Sequence, residues 1–261
     1  GVQTCALPIY PDFDHIAVKK NALAIVRDDL RRKVQRGVVA TGAMSDPYNP
    51  LERKLGLTRH ALELLSAYGF GVAVDTKSDL VSRDADVLSE IAAQMPALVK
   101  FSITTADPAL AARLEPGAPS PERRFAAMEQ LAKAGVFTGL LLMPVLPGLT
   151  DNRENLSQLL RQTAEAGGRF CYCWPGLTMR EGQREYFYQA LDREFPGLRE
   201  KYEKRYGTRY RCTVPGAAKL YAWVREECSR LGLLSEMEAI IAVSRQGYDF
   251  GGLPGQASLF S

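Results

Sequence analysis

The chain has 261 residues, 46% hydrophobic and 24% charged, which is enough apolar sequence for one large domain with a substantial core. With 33 basic and 30 acidic side chains its net charge is +3, too mild a balance to argue for a nucleic-acid protein on charge alone. The longest apolar run, 139–145, is strand-sized and excludes a bilayer span; five cysteines, an odd number, exclude a simple disulfide framework, so the expected compartment is a reducing cytoplasm.

Residues 1–9 (GVQTCALPI) resemble the in-frame translation of a common sequencing adapter, and they are expected to be an artefact, Cys5 included. From residue 38, short apolar runs alternate with amphipathic stretches. Strands are expected over 38–43, 71–75, 98–104, 138–145 and 169–173. Helices are expected over 58–68, 84–94, 121–134 and 154–166. Ser120 before Pro121 and Glu122 supplies a cap and a first-turn proline for the third of these. Nearly continuous apolar strands suit a parallel sheet buried on both faces, and five βα-like units in a row give the α/β class. The units stop near residue 173, short of a closed eight-fold barrel, so 10–175 is expected to form a partial barrel. A helical extension, 176–250, follows with helices over 183–195, 197–206, 216–231 and 234–243. The last stretch, 251–261, is rich in Gly and Pro and reads as a flexible tail.

Active residues of parallel barrels cluster at the C-terminal ends of the strands. Those ends read TGAMSDPY (41–48), DTKS (75–78), SITT (102–105) and PVLPG (144–148), a polar rim suited to a small zwitterionic ligand. Lys77 reads on chemistry alone as a loop lysine, or as a Schiff-base amine. Asp46 before Pro47 is also a natural turn former, and Glu115-Pro116 reads as a structural turn with no role. Arg123 and Arg124 adjoin on one helix, so only one can face the rim. Cys171 and Cys173 share a strand face, but their spacing to Cys212 and Cys228 fits no common zinc pattern. The aromatic, basic run 180–210 has the make-up of a single-strand binder, yet its interleaved acids favour an ordinary amphipathic face.

Taken together and in order, the strings TGAMSDPYNPLE, VDTKSDLVSRD, FSITTAD, LEPGAPSPERRF and LLLMPVLPGLTD resemble the radical S-adenosylmethionine (SAM) enzymes related to spore photoproduct lyase, over about residues 16–173. That resemblance implies a (β/α)6-type barrel whose first strand carries a C-x3-C-x2-C loop holding a 4Fe–4S cluster. It implies SAM as cofactor, cleaved reductively to a 5′-deoxyadenosyl radical that abstracts hydrogen, with a DNA lesion as one class of substrate. By position, Ser45 and Asp46 are implied near the methionine amino group, and Lys77, Ser102 and Thr104 near the carboxylate and ribose. Arg124 is implied at the carboxylate, Pro144 along the adenine, and Cys173 as a hydrogen donor facing substrate. The chain departs from the pattern in one respect: it contains no C-x3-C-x2-C, which is expected before residue 10. Without it, the first strand and cluster loop are missing and the molecule as written is expected to be inactive.

The tail sequence Gln256-Ala257-Ser258-Leu259-Phe260 resembles the short peptide with which bacterial repair proteins dock on the sliding clamp, with Gln256, Leu259 and Phe260 as anchors. The alternatives to a radical enzyme are a non-catalytic, DNA-repair-associated protein tethered to the clamp, and a barrel lyase using Lys77 as a Schiff base.

Overall fold

A computed structural model of the chain describes residues 18–43 and 45–251. Five strands, β1 (Val38–Thr41), β2 (Gly71–Thr76), β3 (Ala97–Ser102), β4 (Phe137–Leu142) and β5 (Phe170–Cys173), form one sheet in chain order, every pair parallel. Helices connect them: α1 (Ala22–Arg31) precedes β1, and α2 (Glu52–Leu55) and α3 (Leu57–Ala67) lead to β2. A 3-10 turn over Asp79–Asp84 and α4 (Ala85–Ala92) lead to β3, α5 (Pro108–Leu114) and α6 (Pro121–Lys133) to β4, and α7 (Arg153–Glu165) to β5. This is the expected α/β partial barrel. Ser120 caps α6 through the Arg123 N–H as its sequence indicates, and Asp107 caps α5 the same way.

Alternation along the strands sorts residues onto two faces. Val72, Val74, Val99, Phe101, Leu140, Leu142, Cys171 and Cys173 meet the helices and join the main core. Their neighbours Ala73, Asp75, Leu98, Lys100, Ser102, Leu141, Phe170 and Tyr172 occupy the inner face. Gly139 leaves room there for Phe170, since a Cβ would lie 2.6 Å from its ring. β4 ends at Leu142, three residues before the expected boundary, and the reason is chemical. Pro144 has no N–H for the ladder, and the Val145 N–H donates instead to Gly176 O at 3.0 Å.

The extension is not helical throughout. β6 (Gly176–Thr178) and β7 (Arg211–Thr213) form an antiparallel pair around α8 (Gln183–Glu194) and α9 (Leu198–Tyr206). This module has its own core, with Phe187, Leu191, Tyr202, Tyr206 and Cys212 packed with Leu114 at the end of α5 and Leu146 of the loop after β4. The chain then returns to the main core through α10 (Ala217–Arg230), whose Val224 and Cys228 are buried there, and α11 (Met237–Arg245). Between them Leu234 bridges Phe170 at the β5 edge, and beyond α11 the Tyr248 hydroxyl donates to Ala92 O at 2.7 Å. The adapter-like residues and the tail anchors Gln256, Leu259 and Phe260 lie outside the described residues.

Candidate active site

The C-terminal ends of β2 and β3 carry a charged triad. Lys77, just after β2, places Nζ 2.6 Å from Glu115 Oε1, and Arg124 on α6 places Nη2 2.7 Å from Glu115 Oε2. Arg124 is buried, and its other donors go to carbonyls: Nη1 to Ser102 O at 2.7 Å and Nε to Pro119 O at 2.9 Å. It braces the end of β3. Lys77 keeps 14% of its side chain exposed, so it is the cation of the triad that a ligand can reach. Burial raises the Glu115 carboxyl, but Lys77 and then Arg124 outweigh that penalty and hold it below the usual carboxylate range. Two cations thus share one carboxylate.

Asp46 fastens the loop after β1 onto β2. Its Oδ1 accepts from Tyr48 N at 2.9 Å and from Thr76 Oγ1 at 2.8 Å, and its Oδ2 accepts from Lys77 N at 2.8 Å. The carboxylate is therefore engaged by the chain itself, and it fixes the backbone that presents Lys77. Ser45 beside it is exposed. Gly42, at φ 99°, carries the chain across Asp75 where a side chain would collide with the Asp75 carbonyl oxygen. Ser102 and Thr104 are buried at the end of β3.

Asn155 joins this rim to the next loop. Its Nδ2 donates to Thr104 O at 3.1 Å and Thr150 O at 3.0 Å, and its Oδ1 accepts from Ala106 N at 2.9 Å. Pro144 opens that second loop, which the Tyr202 hydroxyl on α9 also holds by donating to Pro147 O at 2.7 Å. Below the rim, Lys100 and Asp75 face each other across the β2–β3 register as an ion pair of 2.5 Å, both partly exposed on the inner face. Two surface hollows, of about 350 Å³ between α1 and α3 and about 490 Å³ along α10 and α11, lie away from the strand ends.

Six of the expected residues, Ser45, Asp46, Lys77, Ser102, Thr104 and Arg124, come together along one edge of the sheet, with Pro144 on the adjoining loop. Cys173 does not join them. It faces the helices, in the core with Cys171 and beside Cys228 of α10, and burial followed by the Cys228 charge pushes its thiol up to about 12. Strand alternation gives the reason: Tyr172, not Cys173, occupies the inner face at that level. Glu115, Asn155 and the Asp75–Lys100 pair were not anticipated. A lysine within the otherwise apolar run LVKF, in register with the aspartate ending GVAVD, is the one signal in the sequence that points to the pair.

Among the described residues none fit an iron–sulfur cluster. The sequence has no C-x3-C-x2-C, the four described cysteines are buried, and among the described residues no three His, Cys, Asp or Glu gather as ligands. The described helices include none long and apolar enough to cross a membrane.

A model of the Radical SAM superfamily matches residues 5–160. Uncharacterized proteins of Mycobacterium tuberculosis and Mycobacterium bovis are each 36% identical over 197 residues, covering 75% of this chain and 58% of theirs. The chain thus spans 58% of the length of these curated relatives. Among solved structures, a spore photoproduct lyase variant with bound AdoMet and dinucleoside spore photoproduct superposes with a TM-score of 0.61 at 18% identity, covering 82% of this chain and 64% of that one. The same lyase complexed with dinucleoside spore photoproduct gives 0.58 at 17% identity, with the same coverage of 82% and 64%. At such identities the likeness is one of fold.

Proposed function

The chain belongs to the radical SAM superfamily, and from that premise we propose that its rim is the SAM-binding half of a hydrogen-abstracting enzyme. The observation that carries this reading is the triad at the ends of β2 and β3. Lys77 is partly exposed and uses only part of its ammonium's donors on the carboxylate it shares with Arg124, which suits the carboxylate of an amino-acid cofactor. Arg124 acts behind it, through Glu115 and the Ser102 carbonyl, rather than on the ligand. Asp46 fixes the Lys77 backbone, Ser102 and Thr104 line the approach to the ribose, and the loop from Pro144 takes the adenine side.

In the superfamily, a 4Fe–4S cluster supplies the electron that splits SAM into methionine and a 5′-deoxyadenosyl radical. The described residues do not fit that cluster, and we propose that this chain alone carries out no radical chemistry. The substrate class we favour is a nucleic-acid lesion, supported by the lyase whose fold it shares and whose solved complexes hold a dinucleoside photoproduct. The Schiff-base alternative is weakened by geometry, because the Lys77 ammonium is committed to a buried carboxylate.

The test is anaerobic expression of the longest reading frame containing residues 10–261. Iron near about four per chain and deoxyadenosine on reduction are expected. A reading frame without cluster cysteines, with no iron and no deoxyadenosine, overturns the proposal.

A further inference from the structure

We propose that the exposed edge formed by α9 and β7 is a docking surface for single-stranded nucleic acid. It rests on the reading above and deepens it by naming where on this chain the nucleic acid docks, and it is argued from which charges of the 176–214 module are paired and which are not. The acids of this module are largely taken up in ion pairs. Arg199 pairs with Glu185 at 3.5 Å, Asp192 at 2.9 Å and Glu203 at 2.8 Å, while Arg193 and Arg113 meet Glu194 at 2.8 and 3.7 Å. That leaves Glu181 and Glu200 against the unpaired cations.

Those cations are arranged. Lys201, Lys204 and Arg205 stand at i, i+3 and i+4 on the solvent face of α9, above the buried Tyr202 and Tyr206. Arg209 and Arg211, on the segment that enters β7, are exposed as well. Among the described residues, none of these five forms an ion pair. Between the two arginines in sequence, Tyr210 is 48% exposed. Unpaired cations and an exposed ring on neighbouring residues match a phosphodiester chain with unpaired bases, the first for charge and the second for stacking. An acidic protein would use the charges and leave the ring idle.

The experiment is fluorescence anisotropy of a labelled oligothymidylate of about 20 nucleotides with the whole chain, without SAM or iron, from about 50 to 200 mM salt. Binding should weaken with salt along a log–log slope of about −0.7 per contacted phosphate. The double variant Arg209→Ala/Arg211→Ala should lower that slope by about 1.4 and the affinity by about tenfold or more. Tyr210→Ala should weaken binding with the slope unchanged, and Arg193→Ala, which removes a cation paired with Glu194, should have no effect. A riboligomer arm tells RNA from DNA, and preference for either supports the proposal. No binding at about 50 mM salt overturns it, as does equal competition by polyglutamate or an unchanged affinity in the double variant. None of these outcomes touches the SAM reading, whose test is deoxyadenosine formation.

Discussion

Removing the Glu115 carboxylate leaves two cations facing each other in a buried site. Glu115→Ala is expected to cost about 3–5 kcal/mol in chemical denaturation, the range for breaking one partner out of a buried ion pair. The carboxyl titrates below its ordinary value in the folded chain, so its stabilisation is complete above the unfolded value, about 4.3, and fades as pH falls through the lower folded value. Wild-type stability should therefore drop with acid in that window, and Glu115→Gln should flatten the drop. An identical acid profile in the variant would contradict the assignment. Lys77 gives the complementary case. Because Arg124 stays on Glu115 when Lys77 is removed, Lys77→Ala should keep the fold and, in the longer cluster-bearing reading frame, weaken SAM binding by about 10- to 100-fold, the worth of one charge-assisted hydrogen bond. Arg124→Ala should instead lower stability, which separates support from contact. The two cations were legible in the sequence. Their shared partner was not, because Glu115-Pro116 carries the local signature of a turn and only the packing of α5 against α6 shows what it meets.

At the level of elements, the strands of the sheet were legible because burial on both faces leaves nearly unbroken apolar runs, as in β2 and β4. The short pieces α5, β6 and β7, of seven, three and three residues, carry no such period and form through what they pack against. Loops between strands likewise draw their order from single bridging side chains. Asn155 on α7 is the clearest, since one amide ties Thr104, Ala106 and Thr150 together. Asn155→Ala should destabilise by about 1–3 kcal/mol, the cost of leaving buried backbone groups unmet. Amide exchange at Ala106 should quicken more than exchange within β3, as checked by hydrogen–deuterium exchange. Equal acceleration throughout β3 would mean that Asn155 supports the sheet and not the rim.

For the molecule as a whole, the fold decides where its thiols can act. Cys171 and Cys173 face the helix side with Cys228, and Cys212 is buried in the second core, so the described cysteines are divided between two interiors. Their thiols are pushed up: at Cys171 by hydrogen bonding to Cys228 and then by burial, and at Cys173 and Cys212 foremost by burial. A cluster is held by thiolates, and a raised thiol is the wrong protonation state in the wrong place. Anaerobic incubation of the 261-residue chain with ferrous iron and sulfide should accordingly leave iron far below about four per chain after desalting. Alkylation of the four described cysteines should be slow in the folded protein and rapid once denatured, which reports their burial independently of any metal. Iron retained near the full cluster value with native circular dichroism would require these thiols to reach a common site, and would overturn both the division of the cysteines and the inactivity proposed for this chain. Iron absent with rapid native alkylation would contradict the burial alone. The expected pair, no iron and slow alkylation, supports the proposal that this chain's share of the superfamily's machinery is the rim at Lys77.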